Sequence, residues 1–331
     1  MTETETETET DHSPPGAPDE AFVVPTSRRR VDVTGDDRAR YLQDVTSQDL
    51  VDVPVGEVRG ALHLDVHGTV LAMFDVVVLG DRLALVVDDD ASADLVTERL
   101  GGRTFLLDAR FGVTDDRALA VRGPGAADVL AAVGLGHVAG RARLADDVLV
   151  VPVPGGADLL GPAETVDAVH ERLVAVGARA GDADDLRRWR VDQGVPGWGH
   201  EVVAPHLPEE AGLLPSHVHL GKGCYPGQEA VARMWMLGRP RRRLAIVRVD
   251  ADAVTEGWEA GEGRDRVTVT TRSPSTDRAL AFVPGDRTAG DVLVVDGVAV
   301  EVVRLVGDDV SPPGSDPAVT RGRDRRRSVN R

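Results

Sequence analysis

Gly221-Lys222-Gly223-Cys224-Tyr225-Pro226-Gly227-Gln228-Glu229 holds the only cysteine and the only lysine of the chain. Lysine is normally among the commonest residues, yet every other one of the 38 basic residues is arginine. A chain that has moved its positive charge onto arginine should keep a lysine mainly where arginine cannot serve. Two such singletons within two residues mark a candidate site. Proline favours the first helical position and Gln228 and Glu229 suit a first turn, so a short helix is predicted over residues 226–237, stopped by Gly238.

A cysteine ahead of a helix N-terminus and close to a lysine feels positive potential, which favours thiolate. Cys224 and Lys222 are therefore the candidate chemical pair. The alternative for Cys224 is a small buried hydrophobe; its glycine-rich surroundings argue for a loop and for the reactive reading. Lys222 is not a phosphate-loop lysine, because Ser216 stands where that motif needs glycine and Gly223 where it needs Ser or Thr. His217, His219 and Cys224 fall close together with His206 upstream, but their spacing matches no structural zinc pattern, so no metal is assigned. A cluster shared between two chains stays open.

Upstream runs Leu186-Arg187-Arg188-Trp189-Arg190-Val191-Asp192-Gln193-Gly194-Val195-Pro196, then Trp198-Gly199-His200-Glu201 and Pro208-Glu209-Glu210. Three of the four tryptophans (Trp189, Trp198, Trp235) lie in this part of a chain that is only 3% aromatic. Aromatic surface beside carboxylates can clasp a flat heterocycle presenting N–H donors. Core tryptophans with surface acids would look the same on residue types alone.

At 331 residues and 42% hydrophobic composition, the chain can build two or three cores without disulfides. One cysteine permits no internal disulfide and fits a reducing cytosol. No apolar run is long enough to span a bilayer, and Met1-Thr2-Glu3-Thr4 is not a secretory signal, so a soluble cytoplasmic protein is expected. The formal charge is −17, with seven acids in residues 1–20 and six arginines against Asp324 in 321–331. The part between stays strongly negative, which argues against direct nucleic-acid binding. Both ends are expected to be disordered, an acidic tail over 1–24 and an Arg-rich tail over 308–331.

Between the tails the pattern is mixed. A strand is expected from about residue 28 to 33, then a helix opened by Gly35-Asp36-Asp37 with Ala39, Leu42 and Val45 on one stripe. β-Rich runs follow, punctuated at His67-Gly68 and Gly80-Asp81. The sequence then resets near residue 113 with further strands and a helix over 165–176. Grouped rather than alternating elements favour α+β, in two halves of about 25–112 and 113–240. From residue 241 to 307 short β-branched runs without helices predict a small barrel.

Arg190-x-Asp192-x-Gly194-x-Pro196, Gly199-x-Glu201, Pro208-Glu209 and above all Lys222-Gly223-Cys224-Tyr225-x-Gly227-Gln228-Glu229 resemble, in order and spacing, the YgfZ-type folate-binding proteins, relatives of the glycine-cleavage aminomethyltransferase (T-protein). The resemblance covers about residues 28–306. It implies an α+β fold of three domains around a central hole, two α+β units plus a C-terminal β-barrel, with tetrahydrofolate or a one-carbon derivative as cofactor. It also implies an accessory role in assembly or repair of iron–sulfur enzymes, including a tRNA-modifying one, with iron–sulfur enzymes or assembly proteins as partners. The family's signature cysteine maps onto Cys224. Its pterin-facing carboxylate maps onto Glu201, with Asp192 second, and Trp198, Arg190, Tyr225 and Gln228 complete the expected folate-binding set. T-protein carries an acidic pair just after the glycine of its first hairpin. Here the stretch is Gly68-Thr69-Val70-Leu71-Ala72-Met73, and the next acid is Asp75. Aminomethyl transfer needs such a carboxylate, so an accessory rather than enzymatic role is expected unless Asp75 substitutes. A folate-dependent one-carbon transferase and a folate-free protein-binding scaffold are the alternatives.

Overall fold

The computed structural model describes residues 20–136, 140–237, 240–250 and 252–315. Two strands separated by Ser27 and Arg28, β1 (Phe22–Thr26) and β2 (Arg29–Thr34), enter different sheets. β2 joins β3 (Val58–Leu64), β4 (Val70–Val78), β5 (Leu83–Val87) and β6 (Arg110–Val113) in an antiparallel sheet ordered β3-β4-β5-β2-β6. Helices α1 (Arg38–Val45) and α2 (Asp90–Val96) accompany it. Tyr41, Leu42, Phe74, Leu85 and Val96 lie in the core of this unit, and the Tyr41 hydroxyl donates to the Leu100 carbonyl at 2.6 Å.

The second sheet runs β11-β1-β7-β10-β9-β8. It is built from β1, β7 (Arg117–Arg122), β8 (Arg143–Ala145), β9 (Val148–Val153), β10 (Gly156–Gly161) and β11 (Arg179–Ala180), with α3 (Ala126–Ala132) and α4 (Ala163–Ala175). Val77, Ala84 and Val86 of the first sheet pack on Ala118, Leu149, Val151 and Leu160 of the second, so the two sheets share an apolar seam.

Two boundaries read from the sequence need correction. Residues 20–24 are not part of a disordered tail: Phe22, Val23 and Val24 are buried in β1. Pro25 made this run look unlike a strand, because proline removes a ladder donor. It is tolerated because β11 pairs only with Phe22 and Val23, leaving Pro25 beyond its reach. Since β1 lies between β7 and β11, the two halves are not contiguous in sequence; the first strand belongs to the second unit. Residues 308–315 are likewise folded: the Leu220 amide donates to the Pro313 carbonyl at 2.8 Å, and Gly314 packs against Gly221. The acidic stretch 1–19 and the Arg-rich 316–331 lie outside the described residues.

α5 (Ala183–Gln193) carries a capping box in which the Asp182 side chain accepts from the Asp184 and Asp185 amides, satisfying donors that a helix start leaves unpaired. One face of α5 sets Leu186 and Trp189 on Phe22, Val24 and Ala120 of the second sheet. The other sets Val191 on Leu244, Ile246, Leu280 and Phe282 of the C-terminal unit. The segment after α5, with α6 (Leu214–His217) and α7 (Gln228–Leu237), lies on the first sheet through Leu62, Leu64, Val70, Leu213, Tyr225 and Val231. α7 starts at Gln228, two residues later than the proline suggested.

The C-terminal unit is one antiparallel sheet, β13-β14-β15-β12-β17-β16. Its strands are β12 (Arg242–Val249), β13 (Glu259–Ala260), β14 (Val267–Arg272), β15 (Arg278–Pro284), β16 (Val292–Val295) and β17 (Val298–Leu305). It curls nearly shut: at Gly261, just beyond β13, an added Cβ would lie 3.0 Å from Val295 of β16. The fold is thus α+β with three units, two built on mixed sheet and helix and one barrel-like, as the sequence led one to expect.

Candidate functional site

The signature loop is held from inside. Lys222 is 7% exposed, and its ammonium donates to the carbonyls of Gln43, Thr46 (2.5 Å) and Gln48 (3.1 Å). These carbonyls end α1, which has no basic residue of its own in its last turn. A cation there satisfies unpaired acceptors and opposes the negative end of the helix dipole. Burial pulls the Lys222 pKa down to about 8, whereas three carbonyl oxygens favour the charged form; either way it is charged at neutral pH. Lys222 therefore faces inward and is spent on α1, contrary to its expected pairing with the thiol. Cys224 is exposed and lies four residues ahead of α7, two further from the helix than a start at Pro226 would place it. Tyr225 is buried in the first unit's outer core with its ring under the Lys222 ammonium at 4.9 Å, and Gln228 Nε2 donates to the Lys222 carbonyl at 3.3 Å. Tyr225 and Gln228 thus shape the loop. Gly227 (φ +81°) is required by close approach, since an added Cβ would lie 2.5 Å from the Asp65 carbonyl oxygen in the first hairpin.

The expected pterin-facing carboxylate is already engaged. Glu201 is fully buried; Oε2 accepts from the Gly197 amide (2.9 Å) and Arg190 (3.2 Å), and Oε1 from the hydroxyls of Thr270 (2.7 Å) and Thr271 (2.6 Å). Four donors leave no acceptor position facing a ligand, so Glu201 and Arg190 fasten the loop after α5 to β14. Sequence spacing could not reveal this, because Thr270 and Thr271 come from another unit. Asp192 pairs with Arg278 of β15 at 3.2 Å, and burial pushes its carboxyl up against that pairing. It too bridges α5 to the barrel.

A different group converges where the units meet. Arg28, in the link between β1 and β2, donates to Asp158 of β10 and to Asp75 of β4 (2.9 Å), and lies 3.7 Å from Asp88. Asp158 is fully buried and also accepts from Arg122, whose guanidinium stacks 4.6 Å above the Trp189 ring. Burial alone would push the Asp158 carboxyl up; Arg122 and then Arg28 reverse this and hold it below the usual carboxylate range. Asp88 Oδ2 accepts from the Trp198 amide at 3.0 Å, which ties the backbone of the loop after α5 to the group. Gly60 pairs with Asp75 across β3 and β4, and an added Cβ at Gly60 would meet the His217 ring at 2.7 Å. The glycine therefore lets His217 lie over the strand beside Asp75. The side chains of Asp75 and Asp88 keep 25% and 35% of their surface exposed, so both retain acceptor capacity for a ligand. Of the expected set only Trp198 belongs here. The signal that could have found the rest was a lone acid inside an apolar strand: Asp75 in Val-Leu-Ala-Met-Phe-Asp-Val-Val-Val and Asp158 in Gly-Ala-Asp-Leu-Leu-Gly. Such a residue needs a buried partner.

Burial also holds the pKa values of His217, His63 and His206 below 6.5. A histidine that stays neutral when folded binds fewer protons than in the unfolded chain as pH falls below 6.5. Stability is therefore fully present above 6.5 and falls below it, by up to about 1.4 kcal/mol per pH unit for each such histidine. Denaturant titrations at pH 7.5 and at about pH 5.5 should give a lower midpoint at the acid value, and replacing His217 by Asn should flatten that dependence.

Among the described residues no three His, Cys, Asp or Glu side chains are placed to hold a metal ion, and no helix is long and apolar enough to cross a membrane. No family model matches the chain. It is 29% identical over 287 residues to an aminomethyltransferase of Symbiobacterium thermophilum, covering 76% of this chain and 75% of that protein. It is 26% identical over 221 residues to the tRNA-modifying protein YgfZ of Vibrio vulnificus, covering 65% of each. The crystal structure of the glycine cleavage system aminomethyltransferase T from Bartonella henselae superposes with a TM-score of 0.74 over 88% of both chains at 20% identity, a likeness of fold. The three-unit fold, the signature loop and these relatives agree in making the chain similar to the YgfZ/T-protein-like family.

Proposed function

We propose that this protein is a tetrahydrofolate-binding accessory protein that supports iron–sulfur enzymes, among them one that modifies tRNA, and that Cys224 is its functional thiol. The observation that carries the reading is the combination of an exposed thiol on a loop anchored by Lys222 with a partly open acidic centre between the units. Tetrahydrofolate, when bound, supplies a nitrogen pair able to carry one-carbon units. A pterin edge presents N–H donors, and Asp75 and Asp88 are acceptors of the right kind, partly exposed where the Trp198 backbone meets Asp88. Arg28 orients both carboxylates, and Asp158 fixes Arg28 in turn. Glu201, with no free acceptor, is left out of the ligand's first contacts. The cytoplasm as compartment and cluster proteins as partners belong to the same proposal.

Anaerobic titration with tetrahydrofolate, followed by tryptophan fluorescence, tests the cofactor. One-to-one saturation is expected, weakened about tenfold in Asp88→Asn through loss of a charge-assisted bond. Absence of binding at millimolar folate would remove the cofactor. Cys224→Ser should bind folate normally yet fail to restore cluster-enzyme activity in a deletion strain; full restoration would remove the thiol role.

A second reading, a folate-dependent one-carbon transferase, is favoured by one observation. Asp75 stands in the centre beside Arg28 and His217, although no acid follows directly after Gly68 in the first hairpin. Turnover of a one-carbon folate that disappears in Asp75→Asn would support it, and absence of turnover in the wild type would exclude it.

A further inference from the structure

A second concavity, of about 590 Å³, opens between the first hairpin, the 205–210 turn, α7 and the barrel. Its volume lies in the range of small-molecule sites. Four arginines line it, Arg241, Arg242, Arg264 and Arg266, against a single acid, Glu210. That is a local reversal of sign in a chain of net charge −17. Glu210 is taken up by Arg242 (3.6 Å) and the Leu207 amide (3.3 Å), and Arg266 lies 3.8 Å from Glu259. Among the described contacts Arg241 and Arg264 have no acidic partner, and both are exposed. The floor is apolar, formed by Leu207, Met234 and Phe282, with the Arg242 guanidinium 5.1 Å over the Phe282 ring.

Clustered arginines repel one another unless an anion joins them, and guanidiniums match phosphate oxygens in a forked geometry. An apolar floor adds area for a non-phosphate moiety. We propose that this cleft binds a phosphorylated small molecule of nucleotide size, with its phosphates at Arg241, Arg264 and Arg266 and its planar or apolar part on Leu207 and Phe282. A nucleic-acid strand fits less well: it needs an extended basic track, whereas this patch is one concave pocket on an acidic protein. The proposal is independent of the folate reading, since none of these residues belongs to the Arg28 centre.

Calorimetric titration of the full chain with ATP and with inorganic tripolyphosphate, at about 0.15 M salt, tests it. Both probes should saturate one site and compete, ATP binding the tighter because it also uses the floor. The double variant Arg264→Gln/Arg266→Gln, on an exposed turn, should keep the wild-type Tm and weaken both probes at least about tenfold. Arg141→Gln, an exposed arginine 3.5 Å from Glu57 on another face, should change neither. Failure of both probes to saturate, or indifference to the double variant, would overturn the proposal. Equal affinity for the two probes would overturn its apolar half. An RNA oligonucleotide that bound with the same arginine dependence while ATP did not would replace it with a nucleic-acid surface.

Discussion

Lys222→Met lowers stability by about 3 kcal/mol while leaving the exposed Cys224 in place. The estimate rests on three charge-assisted hydrogen bonds, to the carbonyls of Gln43, Thr46 and Gln48, which methionine cannot make. Buried acceptors left without a donor cost about 1–3 kcal/mol each, and relaxation or entering water recovers part of that. The C-terminus of α1 also loses the cation that its own last turn does not provide. For a protein of this size the loss corresponds to a fall in Tm of roughly 4–5 °C, measurable by calorimetry. Lys222→Arg should also destabilise, by about half as much. A compact ammonium with three rotatable donors fits three carbonyls converging on one point; a planar guanidinium needs more volume and acceptors in its plane. That difference explains why a chain otherwise committed to arginine keeps one lysine. If lysine served as the thiol's chemical partner instead, Lys222→Met would fold with wild-type stability and lose only activity.

The sequence made the signature loop conspicuous but said nothing of which way its side chains face. Lys222 and Cys224 are two residues apart, and their separation into core and surface depends on α1, some 176 residues upstream in the bond it makes with Thr46. Local texture carried the barrel well, because strands bounded by Gly, Pro and Asp turns are written in short windows. It failed at β1, where pairing with β7 and β11 spans long stretches of chain and Pro25 masks the strand pattern. The family resemblance made Glu201 the expected folate ligand, yet the hydroxyls that occupy it come from β14. The Arg28 centre shows the same limit. Arg28 and the three carboxylates around it stand in four separate places, from the β1–β2 link to β10, and none of them names the others locally. Asp75 and Asp158 interrupt apolar strands, a mark of buried charge in the sequence, but nothing local names the partner they share.

Asp158 and Asp75 touch the same guanidinium, and their replacements should separate structure from binding. Asp158 is fully buried and neutralises both Arg28 and Arg122. Removing one partner of a buried ion pair leaves an uncompensated charge and costs about 3–5 kcal/mol. Asp158→Ala is therefore expected near 4 kcal/mol, softened because Arg28 retains Asp75 and Arg122 retains the Ala157 carbonyl and the Trp189 ring. The double variant Asp158→Leu/Arg122→Met, which removes charge and counter-charge together, should recover part of that loss, a coupling that a double-mutant cycle measures. Asp75 keeps a quarter of its side-chain surface exposed, and partly exposed pairs contribute about 1 kcal/mol or less. Asp75→Asn should accordingly leave the denaturation midpoint almost unchanged while weakening tetrahydrofolate binding about tenfold. If Asp75→Asn instead destabilised as strongly as Asp158→Ala and bound folate normally, the centre would be a structural ion-pair network, and the ligand would have to sit elsewhere.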